Sequence, residues 1–157
     1  MLKIIHHKEA SIWLREIPSA EVLRCVWVQQ YYIQDEQIQW REDKDLPPHK
    51  LLIVSPDDIE ARNRTKRDTN WTGYVVHLTE TCSQIGTNLI THVETTSSTV
   101  QDGSILDKLH QALADKGLLP EEHLDDTAYI SADNLLNAQQ MHGIDLLDPW
   151  VVVAVGK

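Results

Sequence analysis

The chain has 157 residues, of which 41% are hydrophobic and 24% charged, and its formal net charge is −10. This is the composition of a soluble globular protein, and the length is sufficient for one domain with an apolar core. No apolar run approaches the ~20 residues of a membrane span, which argues against a membrane partner. Two cysteines, Cys25 and Cys82, are too few for a disulfide framework, so we expect free thiols in a reducing cytoplasm.

The negative charge is concentrated in the second part of the chain. Residues 1–67 hold 11 Lys/Arg and 11 Asp/Glu, whereas residues 68–157 hold 3 and 13. Four bases lie together where the two parts meet: Arg62, Arg64, Lys66 and Arg67. A metal-binding acidic pocket beside a basic strip would give this asymmetry. Two solvated faces would give it as well, and charge alone favours the solvated faces.

The first part of the chain is predicted to be helical and then irregular. Apolar residues recur at three- and four-residue spacing over residues 8–32, which predicts helix rather than strand. Pro18 would break this segment, with Ser19 as the cap of a second helix. Residues 35–50 are charged and polar, which predicts a loop. Residues 1–50 are therefore expected to form a helical segment and a polar loop that precede the main domain.

The middle of the chain contains two clear strand patterns. Residues 73–81 and 88–96 are rich in β-branched and aromatic side chains, and Gly86 lies between them. The pair therefore predicts a β-hairpin. Before it, residues 51–54 could form a short strand, and the sequence Ser-Pro-Asp-Asp over residues 55–58 is typical of a turn.

The elements predicted after the hairpin alternate between helix and strand. In order they are a helix over 104–116, a strand over 124–130, a helix over 132–142 and a strand that begins at Ile144. Asp102 or Ser104 would cap the first helix and Ser131 the second. Such alternation implies an α/β fold, with a partly parallel sheet covered by helices. The complete order matches the middle of a ribonuclease H-like fold.

Two adjacent acids lie at the end of a short apolar run, within the strand predicted over 124–130. Asp125 and Asp126 follow a short apolar run, and Thr127, Ala128 and Tyr129 come next. An acid at the tip of a buried strand is where a metal-dependent phosphoryl-transfer enzyme would hold Mg²⁺. Adjacent aspartates are also common in turns, so the pattern alone leaves both interpretations open.

Several longer segments resemble one family. They are residues 13–18, 23–32, 45–48, 55–62, 71–82, 89–96 and 119–124. Together they resemble the core of bacterial insertion-sequence transposases of the DDE type, over about residues 11–147. In that family the second catalytic acid is followed by a small residue, Gly and Tyr. Here the match is Asp126, Thr127, Ala128 and Tyr129, so Ala128 departs from the family pattern.

The resemblance implies a partial ribonuclease H-like catalytic core over residues 51–147, with a mixed sheet and flanking helices. It implies metal-dependent DNA cleavage and strand transfer, with Mg²⁺ or Mn²⁺ as cofactor and transposon ends as the DNA partner. A second copy of the chain or an intact transposase would be the protein partner, in the bacterial cytoplasm near the nucleoid. Asp126 would be the catalytic residue and the metal ligand.

Three carboxylates usually hold the metal ions of such a site. The family's first acid lies in an upstream segment of Asp-Ser-Thr type, and no such segment precedes residue 11 of this chain. The family's third acid is a Glu on a later helix. Residues 148–157 do not resemble the family. We therefore expect a truncated, inactive transposase fragment that does not hold Mg²⁺ stably. The alternatives are a DNA-binding or dimerising module that interferes with intact transposase, and an inert pseudogene product.

Other candidate residues have a functional and a structural interpretation. The four bases, Arg62, Arg64, Lys66 and Arg67, could contact DNA phosphates or could lie in a solvated loop. Asp58 could replace the first acid, although its sequence favours a turn. His77, Cys82 and His92 have a spacing that fits no standard zinc site, so we expect them to pack within strands.

Overall fold

The computed structural model describes residues 2–83 and 85–148, and the chain has a mixed α/β fold. It divides into two compact units. The first unit comprises the chain up to Tyr74 together with Ser97–Thr99, and the second comprises Val75–Thr96 and the chain from Val100 onward. Of the atypical segment predicted over 148–157, residues 149–157 lie outside the described part. Within the described ranges, no helix is long and apolar enough to cross a membrane.

The first unit begins with helices, as predicted. These are α1 (Leu2–Ile5), a 3-10 helix (Ile12–Arg15) and α2 (Pro18–Gln30). Pro18 occupies the first position of α2 and Ile17 precedes it as the cap, so the prediction that Ser19 caps this helix was wrong. Proline suits that position because its fixed φ matches the helix and no hydrogen bond needs its missing N–H.

A β-hairpin follows α2, where the end of the helical segment and the start of the loop were predicted. Its strands are β1 (Tyr31–Gln34) and β2 (Gln37–Trp40), paired antiparallel. The two residues between the strands, Asp35 and Glu36, both have positive φ, as in the primed turns that match the twist of a hairpin. Tyr31 lies opposite Trp40, with ring centroids 4.8 Å apart in an edge-on contact. This aromatic pair stabilises a hairpin whose polar composition had favoured a loop.

Residues 51–54, predicted as a possible strand, form no strand. The Gln29 side chain of α2 satisfies the backbone there instead. Its amide nitrogen donates to the carbonyl of Leu51 at 3.1 Å, and its oxygen accepts from the N–H of Ile53 at 3.1 Å. One side chain therefore supplies the backbone hydrogen bonds that a neighbouring strand would otherwise supply.

The central antiparallel sheet has the order β3-β4-β5. Its strands are β3 (Arg62–Lys66), β4 (Thr69–Glu80) and β5 (Ile90–Ser97). The predicted hairpin over 73–96 is confirmed as β4 and β5, while β3 was not predicted because its sequence is charged and polar. Strand β4 carries the chain from the first unit into the second.

The second unit contains the predicted helix as α3 (Leu106–Asp115), preceded by a 3-10 turn (Asp102–Ile105). Gly117 has a φ of +68°, the left-handed conformation that commonly ends a helix. Neither Asp102 nor Ser104 caps α3 with its side chain, so that prediction was wrong. Asp102 is buried, and the Ser104 hydroxyl donates to the carbonyl of Gln101 at 2.6 Å.

Two short parallel strands close the second unit, β6 (Glu122–Leu124) and β7 (Asp145–Leu147). They are joined through α4 (Ala132–Asn137) and a π-helical turn (Ala138–His142). Ser131 caps α4 as predicted, because its side chain accepts a hydrogen bond from the N–H of Asn134 at 3.1 Å. The pair β6–β7 is a separate two-stranded sheet, where a single mixed sheet had been predicted.

The apolar core of the second unit lies between α3 and the pair β6–β7. Its buried members are Leu106, Ala138, Ile144 and Leu146, and Leu119, Tyr129 and Ile130 pack against them. These buried side chains come from α3, β7 and the turn before β7, and β6 joins the unit through its pairing with β7. The two acids of interest follow β6 directly.

Candidate active site

Asp125 and Asp126 lie directly after β6 and face different surroundings. Strand β6 ends at Leu124, not at residue 130 as predicted. The N–H of Asp125 donates to the carbonyl of Leu147 at 3.0 Å, which continues the pairing with β7 by one residue. Successive side chains of an extended strand point to opposite sides. The Asp125 side chain is accordingly only 13% exposed, whereas Asp126 is exposed.

Asp126, the predicted metal ligand, begins a tight turn. Its Oδ1 accepts a hydrogen bond from the N–H of Ala128 at 3.1 Å, and its carbonyl accepts from the N–H of Tyr129 at 2.8 Å. This arrangement explains why β6 stops early, because an aspartate side chain that bonds two residues ahead favours a turn over a strand. In the described part of the chain, Asp126 belongs to no group of three metal-ligating side chains.

Asp125 belongs to a cluster that the sequence did not reveal. Its Oδ2 lies 3.4 Å from Nδ1 of His123, and that nitrogen lies 3.0 Å from Nε2 of His110. One ligand atom from each of the three side chains lies within 4.8 Å of the others. His123 and Asp125 are two residues apart on β6 and its extension, so they share a face, and α3 supplies His110. The signal in the sequence that pointed to the cluster was His110, a histidine among the leucines that α3 buries.

Burial sets the protonation of this cluster. It raises the pKa of Asp125, an effect that the His123 imidazole opposes and the neighbouring Asp126 carboxylate reinforces. Burial, with the imidazoles of His123 and His142 nearby, lowers the pKa of His110 to about 4. His110 is therefore neutral at pH 7, so one of its two ring nitrogens carries a free lone pair.

A cavity of ≈ 550 Å³ opens beside the cluster within the second unit. His123 and Asp125 line it, together with polar groups that include Glu80, Cys82 and Glu122. The cluster is therefore reachable by a small solute although His110 itself is only 1% exposed. A pocket with a few convergent polar groups is the usual form of a ligand site.

The four predicted DNA-contacting bases fall into two pairs. The Arg62 guanidinium donates to the carbonyls of Lys50, Ile59 and Ala61 at 2.9, 2.5 and 2.9 Å, which ties the preceding loop to β3. Arg64 donates to the carbonyl of Ser98 at 3.3 Å and lies 5.8 Å over the Trp71 ring. Both side chains are half-buried. They therefore have structural roles in the first unit.

Lys66 and Arg67 form the second pair, at the turn that joins β3 to β4. Both are exposed, and Arg67 has a φ of +55°, which turns the chain back sharply. Charged groups at an exposed hairpin turn can contact a phosphate backbone without rearrangement of the fold. Of the four predicted bases, these two are the ones that solvent reaches most fully.

Asp58 is a turn residue, as the sequence favoured. Its Oδ1 accepts hydrogen bonds from the N–H groups of Glu60 and Ala61, both at 3.1 Å, and from the Tyr74 hydroxyl at 2.9 Å. The Tyr74 hydrogen bond is the main reason that the pKa of Asp58 lies below its usual range. The carboxylate is thus already engaged in holding the loop against β4.

His77, Cys82 and His92 do not form a zinc site in the described structure. His77 is buried, and its ring nitrogens contact the hydroxyls of Tyr129 and Thr96. Cys82 is exposed, and Nδ1 of His92 lies 2.8 Å from the Lys116 ammonium. The two histidines therefore serve packing and hydrogen bonding around the strands, in keeping with the strand role expected for them.

Comparisons with protein-family models, curated proteins and solved structures gave no match to this chain. The resemblance to transposases therefore depends on residues quoted from the sequence. The fold class is mixed α/β.

The hydrogen bond between Tyr74 and Asp58 predicts a pH-dependent stability. Because the folded-state pKa of Asp58 is lowered, its stabilising effect is complete above the unfolded value of ~3.9 and is lost as the pH falls through the folded value. Tyr74→Phe should therefore lower the urea midpoint at pH 7. The difference from wild type should shrink at pH 3.

The matched control is Tyr31→Phe. It removes the same hydroxyl from a ring that stacks on Trp27, and within the described residues that hydroxyl makes no hydrogen bond. Midpoints at pH 7, 5 and 3 check the expectation. A Tyr74→Phe effect that is equal at all three values would contradict it, because the hydrogen bond would then not depend on ionised Asp58.

Proposed function

We propose that this chain is part of the catalytic core of a DDE-type insertion-sequence transposase with a ribonuclease H-like fold. The observation that carries the proposal is the order of elements around Asp126. The antiparallel pair β4–β5 leads into α3, and α3 leads into β6, which runs parallel to β7. Asp126 is the second residue after β6, close to the strand end where the family's second catalytic acid is expected.

The described residues do not by themselves fit the family's Mg²⁺ site. Two ions need several carboxylate ligands. Asp126 has only Asp125 beside it in sequence, and the Asp125 carboxylate faces His123. We therefore assign no metal-dependent step to these residues. The activity proposed for the chain itself is association with DNA, without strand cleavage.

The turn between β3 and β4 is the proposed DNA contact. Lys66 and Arg67 are exposed there, and a depression of ≈ 490 Å³ lies on the same hairpin, lined by polar groups that include His49, Asn63 and Arg64. The first 67 residues balance their charges, so this region lacks the strong negative field of the rest of the chain. Binding through phosphates would be independent of DNA sequence and sensitive to salt.

A second candidate function is association with another copy of the chain or with an intact transposase. Val76, Leu78 and Val93 on β4 and β5 are 56, 62 and 53% exposed. They alternate with inward side chains such as His77, so one face of these strands is apolar and open. A contiguous exposed apolar face commonly marks a protein–protein contact. The two candidates are compatible, because they use different units.

The DNA proposal predicts retention of duplex DNA at ~50 mM salt and its loss by ~200 mM. Replacing both exposed bases, Lys66→Gln with Arg67→Gln, should weaken binding and reduce the slope of log affinity against log salt by about 2. The matched control is Lys3→Gln with Lys8→Gln, which removes the same charge from another exposed part of the first unit. Filter binding across a salt series measures the affinity and the salt slope of each double variant.

Failure of wild type to bind at ~50 mM salt would contradict the DNA proposal, as would equal losses in the two double variants. The same samples, incubated with Mn²⁺ and separated on a denaturing gel, should contain uncut DNA. Reproducible nicking that disappears in Asp126→Asn would show that the chain retains catalysis and would overturn the assignment of binding alone.

The association proposal predicts that Leu78→Ser reduces self-association. The change makes the exposed face of β4 more polar at a side chain that is 62% exposed. Sedimentation velocity over a concentration series should show a dimer that weakens in this variant. Leu136→Ser, which alters a side chain of α4 that is 59% exposed, is the control and should leave the association unchanged. A wild type that stays monomeric at high concentration would refute this candidate.

A further inference from the structure

The geometry points to a transition-metal site formed by His110, His123 and Asp125, of the class that binds zinc. This site is distinct from the Mg²⁺ site that the transposase resemblance implies, because it excludes Asp126 and includes two imidazoles. It does not depend on the proposed function. The same three side chains would bind the ion whether or not this chain is related to transposases.

The separations of the ligand atoms suit a tetrahedral ion. Zinc lies about 2.0–2.2 Å from nitrogen and oxygen ligands, which places neighbouring ligand atoms of a tetrahedron about 3.3 Å apart. In the structure, Nε2 of His110 lies 3.0 Å from Nδ1 of His123, and that nitrogen lies 3.4 Å from Oδ2 of Asp125. All three atoms lie within 4.8 Å of one another. Two of the three separations therefore match a tetrahedral ion, and the third, between His110 and Asp125, has an upper bound of 4.8 Å.

The three ligands are held by regular elements, so the site is formed before an ion binds. His110 lies on α3 beside the core residue Leu106, and it is 1% exposed. His123 lies on β6, and Asp125 continues that strand through its hydrogen bond to Leu147. Preformed ligands reduce the ordering cost of binding.

The hydrogen bonding within the cluster is incomplete. Oδ2 of Asp125 is buried and accepts no hydrogen bond from the described residues. A proton on Nδ1 of His123 could be donated either to His110 or to Asp125, but not to both. One buried acceptor therefore stays unsatisfied, which costs free energy unless a cation or water compensates. A metal ion would satisfy all three atoms at once.

The donor set selects the class of ion. Two imidazole nitrogens and one carboxylate oxygen suit zinc, cobalt and related ions, whereas Mg²⁺ and Ca²⁺ prefer oxygen ligands alone. His123 and Asp125 also line the cavity of ≈ 550 Å³, from which an ion and a fourth ligand such as water would approach. Three protein ligands and one open position is the arrangement of catalytic rather than purely structural zinc sites.

The full chain, without an affinity tag, is first stripped of metal with EDTA. It is then titrated with Co²⁺, and Zn²⁺ is added as a competitor. Wild type should bind one Co²⁺ with the visible spectrum of a tetrahedral ion, and Zn²⁺ should displace it while millimolar Mg²⁺ should not. Asp125→Asn and His123→Gln should each weaken binding by at least the ~10–100-fold that loss of a supporting residue costs a metal site.

Two controls separate this site from other metal-binding groups. Asp126→Asn removes the adjacent, exposed carboxylate, and the double variant His6→Gln with His7→Gln removes an exposed histidine pair. Both should keep wild-type affinity within about twofold, well below the loss expected for a ligand. Circular dichroism tests whether each variant is folded. If Asp125→Asn does not fold, the affinity of His123→Gln for Co²⁺ takes its place in the test.

The inference is overturned if wild type binds no Co²⁺ or if Asp125→Asn binds as tightly as wild type. It is also overturned if Asp126→Asn loses affinity to the same degree, because the ion would then lie on the carboxylate pair. Loss of binding in the variant of His6 and His7 would assign the ion to that exposed pair. DNA retention is unaffected by any of these results, so this inference and the proposed function can fail separately.

Discussion

The burial of Asp125 against two histidines is the constraint on which the second unit depends. The parallel pairing of β6 with β7 extends through Asp125, which places its side chain on the inner side next to His123. The apolar core formed with α3 brings His110 to the same place. A buried carboxylate with an unsatisfied oxygen is costly. The surrounding core has to stabilise the unit enough to offset that cost.

Elements with strong apolar periodicity could be predicted from the sequence. The hairpin β4–β5, the helix α3 and the strand β7 all carry a pattern that burial of one face requires. Elements that are stabilised by specific contacts could not be predicted from the sequence. The hairpin β1–β2 depends on a cross-strand aromatic pair and on positive φ at its turn, and β3 is a charged strand on the edge of a sheet.

The candidate site likewise has one part that the sequence predicts and one part that it does not. Family resemblance and predicted strand position single out Asp126, which lies in the turn that begins two residues after β6. The chemistry around Asp125 needed tertiary information, because His110 and His123 are brought together only when α3 packs against β6. One local clue existed, since His123 and Asp125 share a face of an extended segment. The histidines that the sequence offered for zinc, His77 and His92, are not members of this cluster.

Asp125 is a buried acid held beside His110 and His123, while Asp126 lies at the surface in a turn. Carbon-13 NMR of the Asp125 carboxyl, titrated in the EDTA-treated protein, tests this most directly. The pKa of Asp125 should lie above the ordinary aspartate value of ~3.9, because burial disfavours the charged form. A pKa at or below that value would contradict the burial of Asp125 and the cluster built on it.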